Sequence, residues 1–458
     1  MSEIRFGTNG WRGVLGRDFS VEGAERIARA LGRALGAPRR QPRVVVAYDT
    51  RAHAAEIAAR AAAALAGVGA TVLLCDRVTP TPVASFLVRA RRADGGLIVT
   101  ASHNPPEYLG VKVLGPGGEG AARAFVDALA REANRRARPQ RAPIRQPRAL
   151  REPARAYLAR LAELIDTGPV ERARPRVLYD AMHGAGAGVA DRALAQCGAR
   201  VEVLRATPDP RFGGGAPDPI RPRLRGLIRA VRAGDFAFGL ASDGDADRFA
   251  LVDARGRLLS ETESVALLVD HLAATRRVAG VALSIATGSL AERVARSHGL
   301  AVERVGFGFS PLAAALRDGR AEVAGEESGG FAWRRMGLDK DGILAGTLAL
   351  EAAASEPLHE RVARLLRTHG RSACGRAATP ATPAALRALA RLRSAPPARL
   401  AGSAVQTALA GDGLRVALER GFVHWRASGT ERVIRVYAEA ASRAELARRL
   451  AAGIARLR

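Results

Sequence analysis

Lysine is almost missing from this chain of 458 residues. Of its 71 basic side chains only Lys112 and Lys340 are lysines, and the other 69 are arginines. Asparagine is nearly as scarce, at Asn9, Asn104 and Asn134. Aromatic residues make up only 4%, and nowhere do they alternate with basic residues as the stacking platforms of a single-strand binder do. Arginine and alanine are heavy throughout, so the formal charge of +26 reads as biased coding, and no nucleic acid is expected as a partner. Cys75, Cys197 and Cys374 lie too far apart in sequence for a metal clamp or a redox pair, which fits reduced thiols in a reducing compartment. No apolar run approaches the roughly 18 residues that cross a bilayer. The opening MSEIRFGTNGWRG lacks the apolar stretch of a secretory signal. A cytoplasmic protein with no membrane partner is expected.

What the chain does contain is a repeated unit: a short β-rich run, a polar loop, then an alanine- and leucine-rich stretch. RVVVAYDT (43–50), TVLLCD (71–76) and GLIVTAS (96–102) read as buried strands, with a helix ending at glycine between the first two. The unit returns at RVLYDAMHGAG (176–186), VEVL (201–204) and FAFGLAS (236–242). It returns again at VALSIATG (281–288), VERVGF (302–307) and AEVAGEE (321–327). Such alternation predicts a mostly parallel sheet with helices on both faces. The length exceeds what one hydrophobic core holds. The arginine- and proline-rich stretch 131–153 and the segment around 371–388 read as linkers. Boundaries near 150, 255 and 370 give α/β domains over 1–150, 151–255 and 256–370, and a smaller α+β domain over 371–458. In the last, FVHWRASGTERVIRVYAEA (422–440) alternates apolar and polar residues like an antiparallel hairpin.

Four loops carry chemistry. In SDGDADR, Asp243, Asp245 and Asp247 stand two apart, so a tight loop turns three carboxylates to one point, at a cost that only a cation offsets. An all-oxygen set suits Mg2+. In VTASHNPP, Ser102 stands among Thr100, His103, Asn104 and the rigid Pro105-Pro106; phosphorylated, it adds the anionic ligand that three carboxylates leave room for. Lys112 follows as a mobile, titratable ammonium that no arginine replaces. RASGTER (426–432) reads as an anion cradle: Arg426 grips phosphate bidentately, Ser428 and Thr430 add hydroxyls, and Gly429 lets backbone N–H groups approach. GEESGG (325–330) sets Glu326 and Ser328 between glycines, suited to sugar hydroxyls.

In this order the four loops resemble those of the α-D-phosphohexomutase superfamily, and the resemblance covers essentially the whole chain. TASHNP (100–105) resembles its phosphoserine loop, DGDADR (243–248) its metal loop, GEESGGF (325–331) its sugar loop and RASGTE (426–431) its phosphate loop. FGTNGWRG (6–13), YDTR (48–51), DAMHGAG (180–186) and KDGI (340–343) are lesser matches. The resemblance implies four domains around a central cleft, three of them related α/β units with mixed sheets. It implies interconversion of hexose 1-phosphate and 6-phosphate of glucose or mannose, with Ser102 as phosphoryl carrier. It also implies Mg2+ on Asp243, Asp245, Asp247 and the serine phosphate, and a hexose 1,6-bisphosphate as intermediate and activator. Sugar phosphates are the expected partners, and the chain is expected to be a monomer or homodimer. Arg12, His103, Lys112 and Arg248 surround the reacting group by this resemblance, Lys112 being the proton-transfer candidate if positive neighbours lower its pKa. Arg304 and Arg435 join Glu326, Ser328 and the 426–430 loop as expected substrate contacts. The chain departs from the family at Leu109, usually asparagine, at Gly308, commonly basic, and at Ala427 and Arg432, usually prolines. The competing readings are a phosphoglucosamine mutase, an aspartyl phosphatase, which Asp247 in place of Thr or Val disfavours, and a basic nucleic-acid-binding protein.

Overall fold

The computed structural model describes residues 3–7, 10–36, 41–135, 146–428 and 432–458. The chain forms two compact units, residues 1–259 with 330–359, and residues 260–329 with 360–458. Among the described residues no helix is long and apolar enough to cross a membrane.

The first unit holds two sheets. In the six-stranded one, Arg43–Tyr48 pairs in parallel with Thr71–Cys75 and Gly95–Val99, as the helices Ala54–Ala66 and Thr81–Ala90 between them permit. Tyr108–Leu114 then runs antiparallel to Gly95–Val99, and Trp11–Val14 antiparallel to Tyr108–Leu114. The four-stranded sheet repeats the device. Arg176–Asp180 is parallel to Arg200–Leu204 and Phe238–Ser242, and Phe249–Asp253 returns antiparallel beside Phe238–Ser242. Both sheets are therefore mixed, as the family resemblance implies, where the alternation alone predicted mostly parallel ones. The segments 100–107 and 243–248 are too short for a crossover, so the chain must turn straight back. Those two reversals are the Ser102 loop and the aspartate loop. Each follows a strand that is buried along its full length.

Helix Gly342–Ser355 is apolar on nearly every face and buried, and Gly346 lies so close to Leu240 that a Cβ would clash with its side chain. Asp341 caps this helix through the Leu344 N–H and accepts from the Tyr157 hydroxyl at 2.8 Å.

In the second unit Gly280–Ser284 lies between parallel partners Ala301–Val305 and Val323–Gly325. Ser260 and Glu263 start helix Glu261–Thr275 with a reciprocal capping box. The C-terminal part is an antiparallel sheet with helices Pro383–Ser394 and Arg443–Ala455. The expected hairpin is there: Gly421–Ala427 pairs with Val433–Ala440. Val423, Trp425, Ile434, Val436 and Ala438 of this hairpin are buried in one core.

Candidate active site

Ser102 is 2% exposed and sits in the left-handed region, φ +53°, which few non-glycine residues adopt. Its hydroxyl donates to Asp243 Oδ2 at 2.7 Å and lies 3.5 Å from His103 Nδ1. Its N–H donates to Thr100 Oγ1, and its carbonyl accepts from Arg51 at 2.6 Å. Arg12 reaches the same loop through Asn104 Oδ1 at 2.9 Å, and burial lowers its pKa. Gly110 is required where it stands: a Cβ there would meet the carbonyls of Thr100 and Trp11, both at 2.7 Å.

Asp243, Asp245 and Asp247 do converge. They are at most 2% exposed, and their oxygens lie within 4.8 Å of one another. Two unit charges at that distance repel by about 3–4 kcal/mol at an effective dielectric of 20, so cations must balance them. Lys112 Nζ donates to Asp245 at 2.5 Å and to Asp247 at 2.6 Å, and Lys340 Nζ lies 3.1 Å from the same Asp247 oxygen. The only two lysines of the chain thus meet at one carboxylate. A compact ammonium fits between buried oxygens where a planar guanidinium does not. Arg248 completes the ring, with Nε 3.4 Å from Asp243, its N–H on Asp243 Oδ1 and its guanidinium against His103.

These neighbours set the titration. Burial and then Asp245 and Asp247 push the Asp243 carboxyl well above the usual range. Burial works in the same direction at Asp247, but Lys112 and Lys340 outweigh it and hold that carboxyl below the usual range. For Lys112 the expectation of a lowered pKa is corrected: burial does lower it, yet Asp245 and Asp247 prevail and hold it above the ordinary lysine value. Asp245 Oδ1 and Asp247 Oδ1 are buried without a hydrogen-bond partner. Two carboxylate oxygens with no hydrogen bond among the described residues, in an all-carboxylate cluster, fit a hard dication such as Mg2+.

In the second unit Ser328 donates to Glu326 at 2.6 Å, and Ser284 donates to Glu327 at 2.7 Å. Burial, then the neighbouring Glu326, raises the Glu327 carboxyl to about 7. Arg426 Nε donates to Asp412 at 2.9 Å, and its guanidinium lies 4.1 Å from the Phe307 ring centroid. Arg435 stands opposite Arg426 on the neighbouring strand. The Ser428 N–H closes the hairpin on the Val433 carbonyl; Gly429 and Thr430 lie outside the described residues. Arg304 lies on strand Ala301–Val305. Its Nε and one terminal nitrogen hold Glu292 at 3.0 and 2.8 Å, and the other holds the carbonyls of Ser284 and Thr287. These contacts brace the α/β segment in which Arg304 lies. Arg304→Ala should lower stability by about 1.5–3 kcal/mol, measured by urea unfolding.

The family models for phosphoglucomutase/phosphomannomutase alpha/beta/alpha domains I, II and III match residues 3–139, 155–256 and 261–369, and that for the C-terminal domain matches 373–457. The chain belongs to the phosphoglucomutase/phosphomannomutase family. It is thus a member of the α-D-phosphohexomutase superfamily and a mutase, an isomerase acting as an intramolecular phosphotransferase. The phosphoglucomutase/phosphomannomutase of Thermococcus kodakarensis is 30% identical over 98% of this chain and 97% of that protein. A phosphoglucosamine mutase of Saccharopolyspora erythraea is 32% identical over 99% of this chain and 98% of its own. A crystal structure of a phosphoglucomutase/phosphomannomutase family protein from Burkholderia thailandensis matches with a TM-score of 0.86 at 26% identity, over 100% of this chain and 97% of that one.

For this phosphohexomutase, three residues that touch the site went unassigned in the sequence. Arg51 holds the Ser102 loop. Thr81 donates its hydroxyl to Asp245 Oδ2 at 2.5 Å and its N–H to the Asp245 carbonyl. Lys340 binds Asp247. The motifs YDTR and KDGI signalled two of the three. Leu109, where the family usually has asparagine, is buried at 3% exposure in the apolar core.

Proposed function

We propose that this phosphohexomutase interconverts the 1-phosphate and 6-phosphate of glucose or mannose, with Ser102 as phosphoryl carrier and the hexose 1,6-bisphosphate as intermediate. One observation carries the reading: a buried serine hydroxyl 2.7 Å from the first of three buried, converging carboxylates. In the forward half-reaction a substrate hydroxyl oxygen bonds to the phosphorus of phospho-Ser102 as the bond to Oγ breaks, and the hydroxyl proton ends on the freed Oγ. The bisphosphate then turns, and its other phosphate returns to Ser102. Asp243, Asp245 and Asp247, with a phosphate oxygen of Ser102, would hold Mg2+, which when bound neutralises charge on a transferring phosphoryl group. Arg12 and Arg248 flank the loop and are assigned to the same charge. Lys112, kept charged by two carboxylates, is assigned to donation and charge balance rather than to proton abstraction.

Glu326 and Ser328 are assigned to sugar hydroxyls. Arg426, Ser428, Gly429 and Thr430, with Arg435, are assigned to the phosphate that is not reacting. Because that loop receives the 1-phosphate in one orientation and the 6-phosphate in the other, Arg426→Ala should reduce kcat/KM roughly 10- to 100-fold in both directions, the loss of one charge-assisted contact of about 1.5–3 kcal/mol. The need for added bisphosphate should rise as well. Steady-state kinetics in both directions check this, and wild-type KM with a wild-type bisphosphate requirement contradicts it.

The relatives named phosphoglucosamine mutase, such as that of S. erythraea, support a second reading in which the sugar is glucosamine. A coupled assay with the 1-phosphates of glucose, mannose and glucosamine decides. The primary reading expects kcat/KM at least about tenfold higher for glucose or mannose, one good polar contact's worth; the reverse order overturns it.

A further inference from the structure

The hydroxyl of Ser102 is aimed by backbone whose conformation is unfavourable on its own, since φ is +53° at a residue with a Cβ. Such a conformation persists only where the surroundings impose it. The peptide plane on each side of Ser102 has its own tether. On the N-terminal side the Ser102 N–H donates to Thr100 Oγ1 at 2.8 Å, and Thr100 Oγ1 donates in turn to Asp49 Oδ2 at 2.6 Å. On the C-terminal side the Ser102 carbonyl accepts from an Arg51 terminal nitrogen at 2.6 Å, and Arg51 Nε bonds the same Asp49 oxygen at 3.2 Å. The Arg51 N–H fixes the other Asp49 oxygen at 3.0 Å. Both tethers therefore end on one carboxylate whose side chain, like that of Arg51, is fully buried.

Arg51 does more than hold one carbonyl. Its second terminal nitrogen donates to Pro105 and Tyr108, at 2.7 and 2.9 Å, and the first also reaches the Asn104 carbonyl at 2.7 Å. All five guanidinium N–H groups are engaged, four of them by carbonyls of the loop 102–108. A lysine offers three donors from one point and cannot reproduce the fork. The guanidinium lies 4.9 Å from the Phe212 ring centroid, which seats it from the far side.

We propose that Asp49, Thr100 and Arg51 are positioning residues that fix both peptide planes of Ser102 and so aim its hydroxyl at Asp243. None of the three touches substrate in this assignment; each acts through Ser102. The inference rests on Ser102 being the phosphoryl carrier. A misaimed carrier loses rate rather than substrate affinity, and a displacement of about 1 Å costs on the order of 100-fold.

The test uses the full-length enzyme with Arg51→Lys, Thr100→Val and Thr100→Ser, each checked for folding by thermal melting. For each, kcat, KM and the single-turnover rate of Ser102 phosphorylation by glucose 1,6-bisphosphate are measured. Arg51→Lys and Thr100→Val should lower kcat and the phosphorylation rate together by about 10- to 100-fold, with KM within about twofold of wild type. Thr100→Ser, which keeps the hydroxyl, should recover most of the rate. A purely structural role would leave kcat per folded molecule unchanged. Wild-type kcat in folded Thr100→Val, or a serine variant as slow as the valine one, overturns the proposal. If Arg51→Lys does not fold, the Thr100 pair decides alone. The premise is checked on wild type: an enzyme never phosphorylated on Ser102 refutes the carrier assignment, whereas phosphorylation at wild-type rates in the variants refutes only the positioning role.

Discussion

Ser102→Ala should leave a folded protein with roughly four or more orders of magnitude less mutase turnover, since removing a nucleophile that carries the transferred group leaves only binding and electrostatics. The fold is not at stake. The hydroxyl makes a single close hydrogen bond, to Asp243, and that carboxylate keeps the Arg248 N–H at 3.1 Å. Thr100 and Arg51 bond the Ser102 backbone, which alanine retains, although its left-handed φ is no easier for alanine than for serine. A melting temperature within about 3 °C of wild type is therefore expected for a chain of this size. Coupled assays in both directions, with saturating bisphosphate, measure the turnover. An alanine variant at wild-type rate would remove Ser102 from the mechanism altogether.

Asp245→Asn carries the second large effect. Asp245 Oδ2 is held by Thr81 and Lys112, while Oδ1 is buried with no hydrogen-bond partner. The amide removes one of three converging charges, and with it attraction for a dication. Turnover should fall roughly 100-fold or more, and the Mg2+ concentration for half-maximal activity should rise, as carboxylate loss weakens hard-cation sites. Stability should change little, because relief of repulsion of about 3–4 kcal/mol per carboxylate pair is offset by loss of the buried Lys112 ion pair. Calorimetric Mg2+ titration of both proteins reads affinity independently of turnover. Undiminished activity of thoroughly chelated wild type, or equal Mg2+ affinity in the variant, contradicts the metal assignment.

The parts of the site that could be read from sequence are those whose partners lie a few residues away. Asp243, Asp245 and Asp247 share one reversal, and two-residue spacing in a tight loop is enough to bring them together. Ser102 was legible because Thr100, His103 and Asn104 surround it locally. What could not be read depends on contacts distant in sequence. Lys340 and Lys112 meet at Asp247 from separate segments, and Thr81 reaches Asp245 across 164 positions. The Arg304–Glu292 ion pair was likewise hidden, because the two residues sit on different elements. For Lys112 the direction of titration was reversed, because the charges that matter are carboxylates from another sheet. In the fold, most strands fell where apolar runs predicted them. The antiparallel returns at 100–107 and 243–248 were missed, because the pattern of a buried strand is the same in either direction.

The central claim is that Ser102 carries the phosphoryl group. It is tested most directly by intact-mass and peptide mapping of the wild-type enzyme, first after incubation with glucose 1,6-bisphosphate and then after a chase with glucose 6-phosphate. The account requires one phosphate on the peptide containing Ser102, lost from the protein during the chase as bisphosphate appears. A fully active enzyme with no phosphate on Ser102 at any point, or with the transferable phosphate on another residue, contradicts it.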